Sequence, residues 1–452
     1  VVGYGTQKKR DLTGSISSIK GDELARMPSN NPISSLQGKV AGLTIVNSGR
    51  AGSSPTVRIR GVNSTSNPSP LYVVDGIFQS DINYLNPADI ESIEVLRDPS
   101  SIAIFGLQGG NGVIIVTTKR AAKGQTRVSF QSSVGVQKVI DRIDVTDAAG
   151  FKQLYSTQLA NINAAPFDFS LYTANTNWQD VILRDAVINN NTLSISNTNE
   201  KTTTLFSIGY NNQEGVLKND KYQKYIVRLN QELRINNHFR IGGEVTGFHF
   251  IQNDPGADLN NALWAAPIIP IQAGEGLYYS TPSFQRAQVS NPQSRLDLAD
   301  GNSIDKGFRV VGSAFGEVKF AQYFAFKSSF YTDLSFNNSR SYSPLPFRFI
   351  NIGNSVTPTD TTFNDNTRTS VTQSQSESRR FQQDHILSYT RNFNRVHQLT
   401  GLVGFTTLFQ GNSNITGNRR DTSLNIPDDP AFWYLNVANA NNPTTNGGGG
   451  GE

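Results

Sequence analysis

The 452-residue sequence predicts a transmembrane β-barrel with an N-terminal α+β plug domain inside its lumen. Three observations lead to this fold class. Short strands punctuated by glycines form a compact first unit over residues 1–122, and long strands alternating apolar and polar residues follow over residues 123–446. The connections between those long strands alternate between short and long, which is typical of barrels that cross an outer membrane. The glycine-rich tail, residues 447–452, is expected to be a linker or an artefact.

The composition fits strands that have one apolar face and one wet face. Hydrophobic residues make up 37% of the chain and charged residues 17%, whereas aromatic residues reach 10%, with 26 Phe and 15 Tyr. A soluble enzyme of this length would usually carry more aliphatic core and more charge.

Several functional classes are disfavoured by what the sequence lacks. The net charge is only +4 and no long basic run occurs, so we expect no nucleic-acid partner. The chain has no cysteine, which excludes disulfides, thiolate zinc sites and cysteine nucleophiles. The four histidines, His238, His249, His385 and His397, lack metal-ligand spacing. We therefore predict no metal, no cofactor and no catalytic residues.

The central stretch of the first unit, Thr56–Lys119, contains short apolar strands separated by turn signals. Asp75-Gly76 signals a tight hairpin turn, and Ile33–Val40, after an Asn-Pro pair, is predicted to be a short helix. The glycine run Gly106–Gly112 follows a helix and precedes a strand, the wrong order for a phosphate loop. The predicted strands are Thr56–Arg60, Leu71–Val74, Ile90–Leu96 and Gly112–Thr118.

Beyond the first unit we predict about nine long strands. Over Phe324–Phe336, for example, apolar residues such as Phe326 and Phe330 alternate with polar ones such as Lys327 and Ser329. In a bilayer this pattern describes a tilted strand with its apolar face outward and its polar face toward the lumen. The strands are Arg127–Ile140, Thr192–Asn197, Thr202–Asn212, Tyr222–Ile235, Phe239–Phe250, Phe308–Phe320, Phe324–Asn337, Arg380–Phe393 and His397–Gln410.

The connections give the sheet an orientation. Those at 198–201, 236–238, 321–323 and 394–396 are tight, those at 141–191, 251–307 and 338–379 are long, and the one at 212–221 is intermediate. Short periplasmic turns and long external loops produce this alternation, and the first strand then rises from the periplasmic side. Because nine strands would leave an open edge in lipid, we expect the chain to be a fragment of a larger barrel.

Six motifs run through the first unit almost without a break. They are VVGYGTQKKRDLTGSIS at Val1–Ser17, LQGKVAGL at Leu36–Leu43, VRIRG at Val57–Gly61, PLYVVDG at Pro70–Gly76, LNPADIESIEVLRD at Leu85–Asp98 and AIFGLQGGNGVIIVTTK at Ala103–Lys119. Together they resemble the plug of the SusC/RagA family of TonB-dependent outer-membrane transporters. The segment Ala265–Tyr279 resembles a loop of the same family, and the match over the barrel is looser.

The resemblance implies a plug inside a barrel of about 22 strands, located in the bacterial outer membrane. It implies import of oligosaccharides or peptides, with a SusD-like surface lipoprotein as lid and TonB, with ExbB and ExbD, as the source of energy. The lipid bilayer is a further partner, and a dimer of transporter–lipoprotein pairs is compatible with it. The alternatives are a receptor for iron chelates or cobalamin without a lipoprotein lid, and a non-transporting surface barrel.

The family's TonB-contacting box lies at or just before a segment like the one that opens this sequence. The resemblance therefore assigns a remnant of that box to Val1, Val2, Gly3, Tyr4 and Gly5. Most of the box and the amino-terminal extension domain are absent from the sequence, so it gives no information on energy coupling. The family's KDAS motif reads Arg97-Asp98-Pro99-Ser100 here, which keeps the turn and the basic residue.

A plug must stay in place in a polar lumen and still move when it is pulled, so polar contacts suit its surface. We hypothesise that Arg58, Arg60, Glu94 and Arg97 form a latch, facing lumen groups such as Arg228, Glu232, Arg234, Lys327 and Asp333. Salt bridges inside the plug, or plain solvation, are the alternatives. Gly61, Asp75, Gly76 and Asp98 complete the plug motifs.

Four aromatic residues in the long connections are candidate substrate contacts, because aromatic faces can stack on sugars or on peptide side chains. They are Trp178, Trp264, Tyr278 and Tyr279. Packing of the loops against each other is the alternative role.

Overall fold

The structure is a computed structural model that describes residues 16–25, 27, 29–61, 69–98, 102–121, 124–256, 259–344, 348–352, 360–363, 369–393, 397–420 and 426–435. The expected TonB-box remnant, Val1 to Gly5, and the glycine-rich tail lie outside these residues. The described chain has two main parts. We call them the plug, up to residue 121, and the wall sheet, from residue 124 onward.

The plug is built on a five-stranded sheet in the order β1-β6-β7-β4-β5, beside a two-stranded sheet of β2 and β3. The central strand β7 runs parallel to β4 and antiparallel to β6. All four strands predicted in Thr56–Lys119 are confirmed. The bounds are β1 Ile16–Lys20, β2 Leu43–Val46, β3 Thr56–Ile59, β4 Leu71–Val74, β5 Ile77–Gln79, β6 Ile90–Leu96 and β7 Val113–Thr118, with helix α1 at Gly21–Ala25.

The local predictions for the plug have mixed outcomes. Asp75 and Gly76 adopt φ angles of 48° and 94° and join β4 to β5, so the predicted tight turn is confirmed. The helix predicted over Ile33–Val40 is wrong, because only a short 3₁₀ turn, Ser34–Leu36, forms. Gly38 has a φ of 75°, and this left-handed conformation cannot continue a right-handed helix.

The plug has an apolar core on both faces of its sheet, and β7 explains why. Val113, Ile114, Ile115 and Val116 are all buried. Ile114 and Val116 pack with the larger cluster that includes Leu24 and Ile93, whereas Val113 and Ile115 pack with Phe105 on the opposite face. An unbroken apolar run is therefore what this central strand requires.

The wall sheet contains nine strands among the described residues, each antiparallel to its neighbours in sequence order. The nine predicted strands are confirmed, and several extend further toward the long connections. The strands are β8 Gly124–Gln137, β9 Ala186–Thr198, β10 Thr202–Glu214, β11 Lys221–Arg234, β12 Phe239–Asn253, β15 Ser303–Phe320, β16 Phe324–Ser343, β19 Ser370–Phe393 and β20 His397–Arg420. Four short strands in the loops are β13 Gln272–Gly274, β14 Leu277–Tyr279, β17 Arg348–Asn351 and β18 Asp360–Phe363.

The two faces of the wall sheet have opposite chemistry. On β11, the apolar residues Tyr225, Val227 and Leu229 are 45–48% exposed, whereas Arg228 and Asn230 are buried. The buried polar face contacts the plug, and the apolar face is directed away from it. This confirms the predicted alternation, with the polar face toward the lumen.

The connections alternate as predicted, with one shorter connection at the long-loop end. Residues 199–201, 235–238 and 321–323 make tight turns at one end. At the other end the strands are joined by the long connections between residues 137 and 186, 253 and 303, and 343 and 370, and by the shorter connection 215–220. The plug leads into β8 at the end with the tight turns, since Gly124 lies opposite Thr198. Within the described residues, no helix has the length and apolar character needed to cross a bilayer.

The long loops share a hydrophobic core of their own, which we call the loop core. Trp178, Ile182, Ala266 and Ile269 are buried in it. It is built by helices α2 Ala148–Asn161, α3 Trp178–Ile182, α4 Leu259–Trp264 and α5 Pro292–Ala299. The loops are therefore folded structures that stand above the plug.

The outward face of the wall sheet gives a first prediction. We expect Val227→Arg to lower the stability of the full-length protein in a bilayer by about 2–4 kcal/mol, because it places a charge in the apolar belt. Urea titrations in phosphatidylcholine vesicles would measure the loss. Asn237→Arg, in the exposed turn between β11 and β12, adds the same charge outside the belt and is the control. Equal stability of the two variants would contradict the assigned face.

Candidate functional site

The candidate site is the polar interface between the plug and the wall sheet. Buried charged side chains on several wall strands extend into the lumen and donate to plug atoms. Each occupies a lumen-facing position of its strand. Lys224 and Arg228 on β11 and Arg309 on β15 are the main examples.

Arg228 is the centre of the first cluster, and its side chain is only 1% exposed. Its Nε and Nη2 donate to the two carboxylate oxygens of Glu244 on β12, at 3.0 and 3.1 Å. Nη2 also donates to Thr118 Oγ1 of the plug at 2.5 Å. Thr118 in turn donates its hydroxyl and its backbone N–H to Asp75. One wall arginine thus joins a wall carboxylate to the end of β7 and to the β4–β5 turn.

A further plug carboxylate, Asp89, belongs to the same cluster. Asp89 is 4% exposed, and Ser207 on β10 donates a hydrogen bond to its Oδ2 at 3.0 Å. Burial raises the pKa of Asp89 above its usual range, and the Arg228 charge and the Ser207 hydrogen bond offset only part of that effect. Burial and the Glu244 charge likewise raise the pKa of Asp75.

Arg309 is the centre of the second cluster. Its Nη1 donates to both carboxylate oxygens of Asp81 in the plug, at 2.9 and 3.0 Å. Its Nε and Nη2 donate to Asp333 on β16, at 2.8 and 2.7 Å, and Nη2 also donates to Gln79. The guanidinium carbon lies 4.9 Å from the centre of the Tyr84 ring, a cation–π contact. A planar donor with five N–H groups suits this several-sided site.

Additional wall side chains bind backbone carbonyls and charges of the plug. Lys224 Nζ donates to the carbonyl oxygens of Asn30 and Asn83, at 3.1 and 2.8 Å. Arg380 Nη1 donates to the carbonyl oxygen of Phe78 at 2.7 Å. Glu232 accepts from Arg120, which lies between β7 and β8.

The structure corrects the plug half of the predicted latch. Arg60 pairs with Asp98 inside the plug at 2.7 Å, and Arg97 donates to Ser17 and to the Ala41 carbonyl, also inside the plug. Arg58 is exposed, and within the described part of the chain it forms no ion pair. On β3 the buried positions are Val57 and Ile59, so the arginines point away from the plug core without reaching the wall sheet.

Some of the remaining predicted latch residues lie at the plug–wall interface and the others do not. Glu94 is half-buried on β6, and no described residue forms an ion pair with it. Arg234 is exposed at the end of β11, and Lys327 lies over the Phe315 ring within the wall sheet. Gly61 has a φ of 92° in the turn after β3. The wall residues Arg228, Glu232 and Asp333, in contrast, do lie at the plug–wall interface.

Sequence reasoning missed the plug residues Asp81 and Asp89 and the wall residues Lys224 and Arg309. A signal for the wall residues was present. Each is a charged residue at a lumen-facing position in the interior of an alternating strand, and a buried charge there requires a partner in the lumen. No comparable pattern marked the two aspartates, which lie in turns.

Three of the four candidate substrate contacts have structural roles instead. Trp178 is 2% exposed and its Nε1 donates to the Ala266 carbonyl at 3.0 Å. Tyr278 is 3% exposed and donates to Asp297, and Tyr279 packs against the loop core. Trp264 is 65% exposed and stays a candidate for contact with a ligand.

A cavity of about 280 Å³ separates the plug from the wall near the long loops. Plug residues 27–53 and Asn83 line one side, and strands β8 to β11 line the other. Amide and hydroxyl side chains predominate in the lining, and Asn30, Asn31 and Gln213 are examples. Such groups can donate and accept hydrogen bonds with sugar hydroxyls or peptide groups. Across the described residues, no group of three or more potential metal ligands occurs.

Known proteins share both parts of this architecture. Residues 8–113 match the family model described as TonB-dependent Receptor Plug Domain. TonB-dependent receptor P26 of Formosa agariphila is 33% identical over 353 residues, covering 75% of this chain and 35% of that protein. TonB-dependent receptor SusC of Bacteroides thetaiotaomicron is 34% identical over 299 residues, covering 63% and 29%. The chain thus spans about a third of the length of these curated relatives.

The fold has counterparts among solved structures. The RagAB peptide importer in its open-open state aligns with a TM-score of 0.80 at 20% identity, over 99% of this chain and 52% of that chain. The plug, the wall sheet and these matches define a β-barrel of the TonB-dependent receptor class, which is not a class of enzymes. Within that class, the chain belongs to the SusC/RagA family.

The Arg309 cluster gives a second prediction. We expect Arg309→Met to destabilise the seated plug by about 1–3 kcal/mol, because it leaves the carboxylates of Asp81 and Asp333, which are 35% and 12% exposed, without their cation. Hydrogen exchange of the β4–β5 hairpin in the full-length protein would report the loss.

The matched control for Arg309→Met is Arg60→Met, which removes a plug ion pair whose arginine side chain is 51% exposed. It should have an effect of less than about 1 kcal/mol. A larger effect of Arg60→Met than of Arg309→Met would contradict the assigned interface.

The Arg228 cluster gives a third prediction, about pH. We call the plug seated when it is bound to the wall sheet as in this structure. The pKa values of Asp75 and Asp89 are raised in the seated plug, so binding of the plug to the wall favours the protonated forms of both residues. Their contribution to seating is fully present below the ordinary carboxyl pKa and is lost as the pH rises through the raised values. Urea titrations between about pH 5 and pH 8 should therefore show weaker seating at higher pH.

In the same titrations, Asp89→Asn should flatten the pH dependence, because the amide cannot ionise and can still accept from Ser207. Asp22→Asn is the control, since the Asp22 side chain is 84% exposed. Seating that strengthens with rising pH in the wild type would contradict the prediction.

Proposed function

We propose that this chain forms the plug and the N-terminal part of the wall of an outer-membrane importer that takes up oligosaccharides or peptides with energy from TonB. In this proposal residues 1–122 are the plug domain, with the TonB-box remnant at its start, and residues 123–446 are the barrel part. A SusD-like surface lipoprotein covers the long-loop side, and ExbB and ExbD complete the energy complex.

The observation that carries the proposal is the nature of the plug–wall contacts. The wall sheet contacts the plug through arginine and serine side chains of β10, β11, β15 and β19, and through a small apolar patch of Ile226, Phe248 and Val311. Polar contacts can exchange with water when the plug moves, whereas a large apolar interface would resist separation. Because the apolar patch is small, a pull can displace a plug held in this way.

The substrate class rests on the cavity and on the relatives. A cavity lined mainly by amides and hydroxyls suits a polar, hydrogen-bonding ligand better than an apolar one. Among the similar proteins, one solved structure is named as a peptide importer. Import of peptides is therefore one of the two substrate classes in the proposal.

Uptake by cells that produce the full-length protein tests the proposal. We expect fluorescent oligosaccharides or peptides to enter wild-type cells and to stay outside when TonB is deleted. A surface lipoprotein should also co-purify with the protein. Uptake of an iron chelate or of cobalamin, with no lipoprotein bound, would instead assign the chain to the second class of receptor.

Trp264 gives a fourth prediction. We expect Trp264→Ala to weaken substrate binding about 2- to 10-fold, because loss of one aromatic contact is worth about 0.5–1.5 kcal/mol. Leu259→Ala, an exposed residue on the same helix α4, is the matched control and should leave affinity unchanged. Binding by the intact transporter–lipoprotein complex can be measured calorimetrically. Identical affinities for wild type and Trp264→Ala would remove Trp264 from the substrate site.

A further inference from the structure

The cavity between the plug and the wall has an unusual charge balance. Its lining includes seven amide side chains, three serines and the cations Lys224 and Arg50, whereas none of the aspartates or glutamates in the described part of the chain lines it. Arg50 lies toward the exposed side and pairs with Asp254 at 3.4 Å. Lys224 is the cation that remains without a carboxylate partner within the described residues.

Lys224 lies at the wall side of the cavity. The side chain is 1% exposed, and two plug carbonyl oxygens, those of Asn30 and Asn83, accept from its ammonium group. An ammonium group has three N–H donors, so one donor of the protonated group has no acceptor among the described residues. Burial disfavours the charged form of this group and the Asp81 carboxylate favours it. In its charged form the group creates a positive potential in the adjacent space.

An unsatisfied acceptor lies beside this donor. Asn30 is 5% exposed and lines the cavity, and its Oδ1 has no hydrogen-bond partner in the described structure. The Asn30 side chain is fixed through its other group, since its Nδ2 donates to Gln213 Oε1 at 3.1 Å. The cavity therefore offers a spare cationic donor together with a spare neutral acceptor, and buried polar groups are seldom left unpaired.

We propose that this cavity is a subsite for an anionic group of the transported molecule, a carboxylate or a sulfate ester that carries a neighbouring hydroxyl or N–H. Lys224 binds the anion, and Asn30 Oδ1 accepts from the adjacent donor. The other amides of the lining bind the uncharged part of the ligand. The inference rests on the proposed import function and narrows its substrate class to acidic oligosaccharides or acidic peptides.

The absence of lining carboxylates is what gives the subsite its selectivity. A neutral analogue, such as the methyl ester of the same ligand, could still use the amide groups and would lose the interaction with Lys224. A cationic ligand would meet a buried like charge, which disfavours it. Selectivity should therefore appear as tighter binding of an acid than of its own methyl ester.

The test uses the full-length transporter with its lipoprotein, and a pool of trigalacturonate and acidic tetrapeptides mixed in equal amounts with their methyl esters. Bound members are eluted and quantified by mass spectrometry. We expect the wild type to enrich acidic members over their esters by about tenfold or more, and Lys224→Met to reduce that ratio to about one. Methionine matches the length of lysine and removes the buried charge together with the hydrogen bonds to the Asn30 and Asn83 carbonyls. A thermal melt of Lys224→Met that matches the wild type within a few degrees is required before its enrichment ratio is compared.

The matched control is Lys221→Met, three residues earlier on β11, where the lysine is exposed. It changes the net charge by the same amount and should keep the full enrichment. Equal binding of acids and esters by the wild type, binding of no acidic member, or enrichment that persists in Lys224→Met would each overturn the subsite. The TonB dependence of uptake is measured separately, so a failed subsite is distinguishable from a failed import function.

Discussion

The position of the plug against the wall sheet depends on buried wall arginines that donate hydrogen bonds to plug acceptors. The wall sheet directs most of its apolar side chains outward, and a small group of them, Ile226, Phe248 and Val311, packs into the plug core. The contacts that Arg228 and Arg309 make with the plug are polar, and each of the two arginines joins several acceptors there. Each hydrogen bond contributes only about 0.5–1.5 kcal/mol net, because water competes for the same groups. The seat is therefore specific in geometry and modest in strength.

This constraint also explains the composition of the chain. Apolar residues serve three separate environments, which are the plug core, the loop core and the lipid-facing belt. The lumen between them has to be polar to remain compatible with water and with a moving plug. A chain organised in this way needs many aromatic and small polar residues and comparatively few aliphatic ones, and 37% hydrophobic residues with 10% aromatic meets that need.

Patterns that act within one strand could be predicted from the sequence, whereas contacts between distant segments could not. Alternation on β11 and β16 gave the strands and their faces, because the side-chain period of a strand is two. Alternation separates Arg58 and Arg60 from Val57 and Ile59, but it does not identify what lies opposite the arginines, so the partner of Arg60 inside the plug could not be predicted. The burial of Trp178 could not be predicted either, because its acceptor, Ala266, is 88 residues away and belongs to another loop. The helix at Ile33–Val40 failed for a local reason, the left-handed Gly38.

The lumen face of β11 connects the two halves of the site. Lys224 borders the cavity, Ile226 packs into the plug core and Arg228 holds the end of β7. These alternate positions follow one another on one face of one strand, about 7 Å apart. The plug already uses two donors of Lys224 through the carbonyls of Asn30 and Asn83, and the proposed anion would use the third. If the bound anion draws the ammonium group toward the cavity and weakens those two contacts, the seated plug weakens anion binding by the same free energy, by linkage. In the proposed function, recognition of the ligand and release of the plug would then involve the same wall strand.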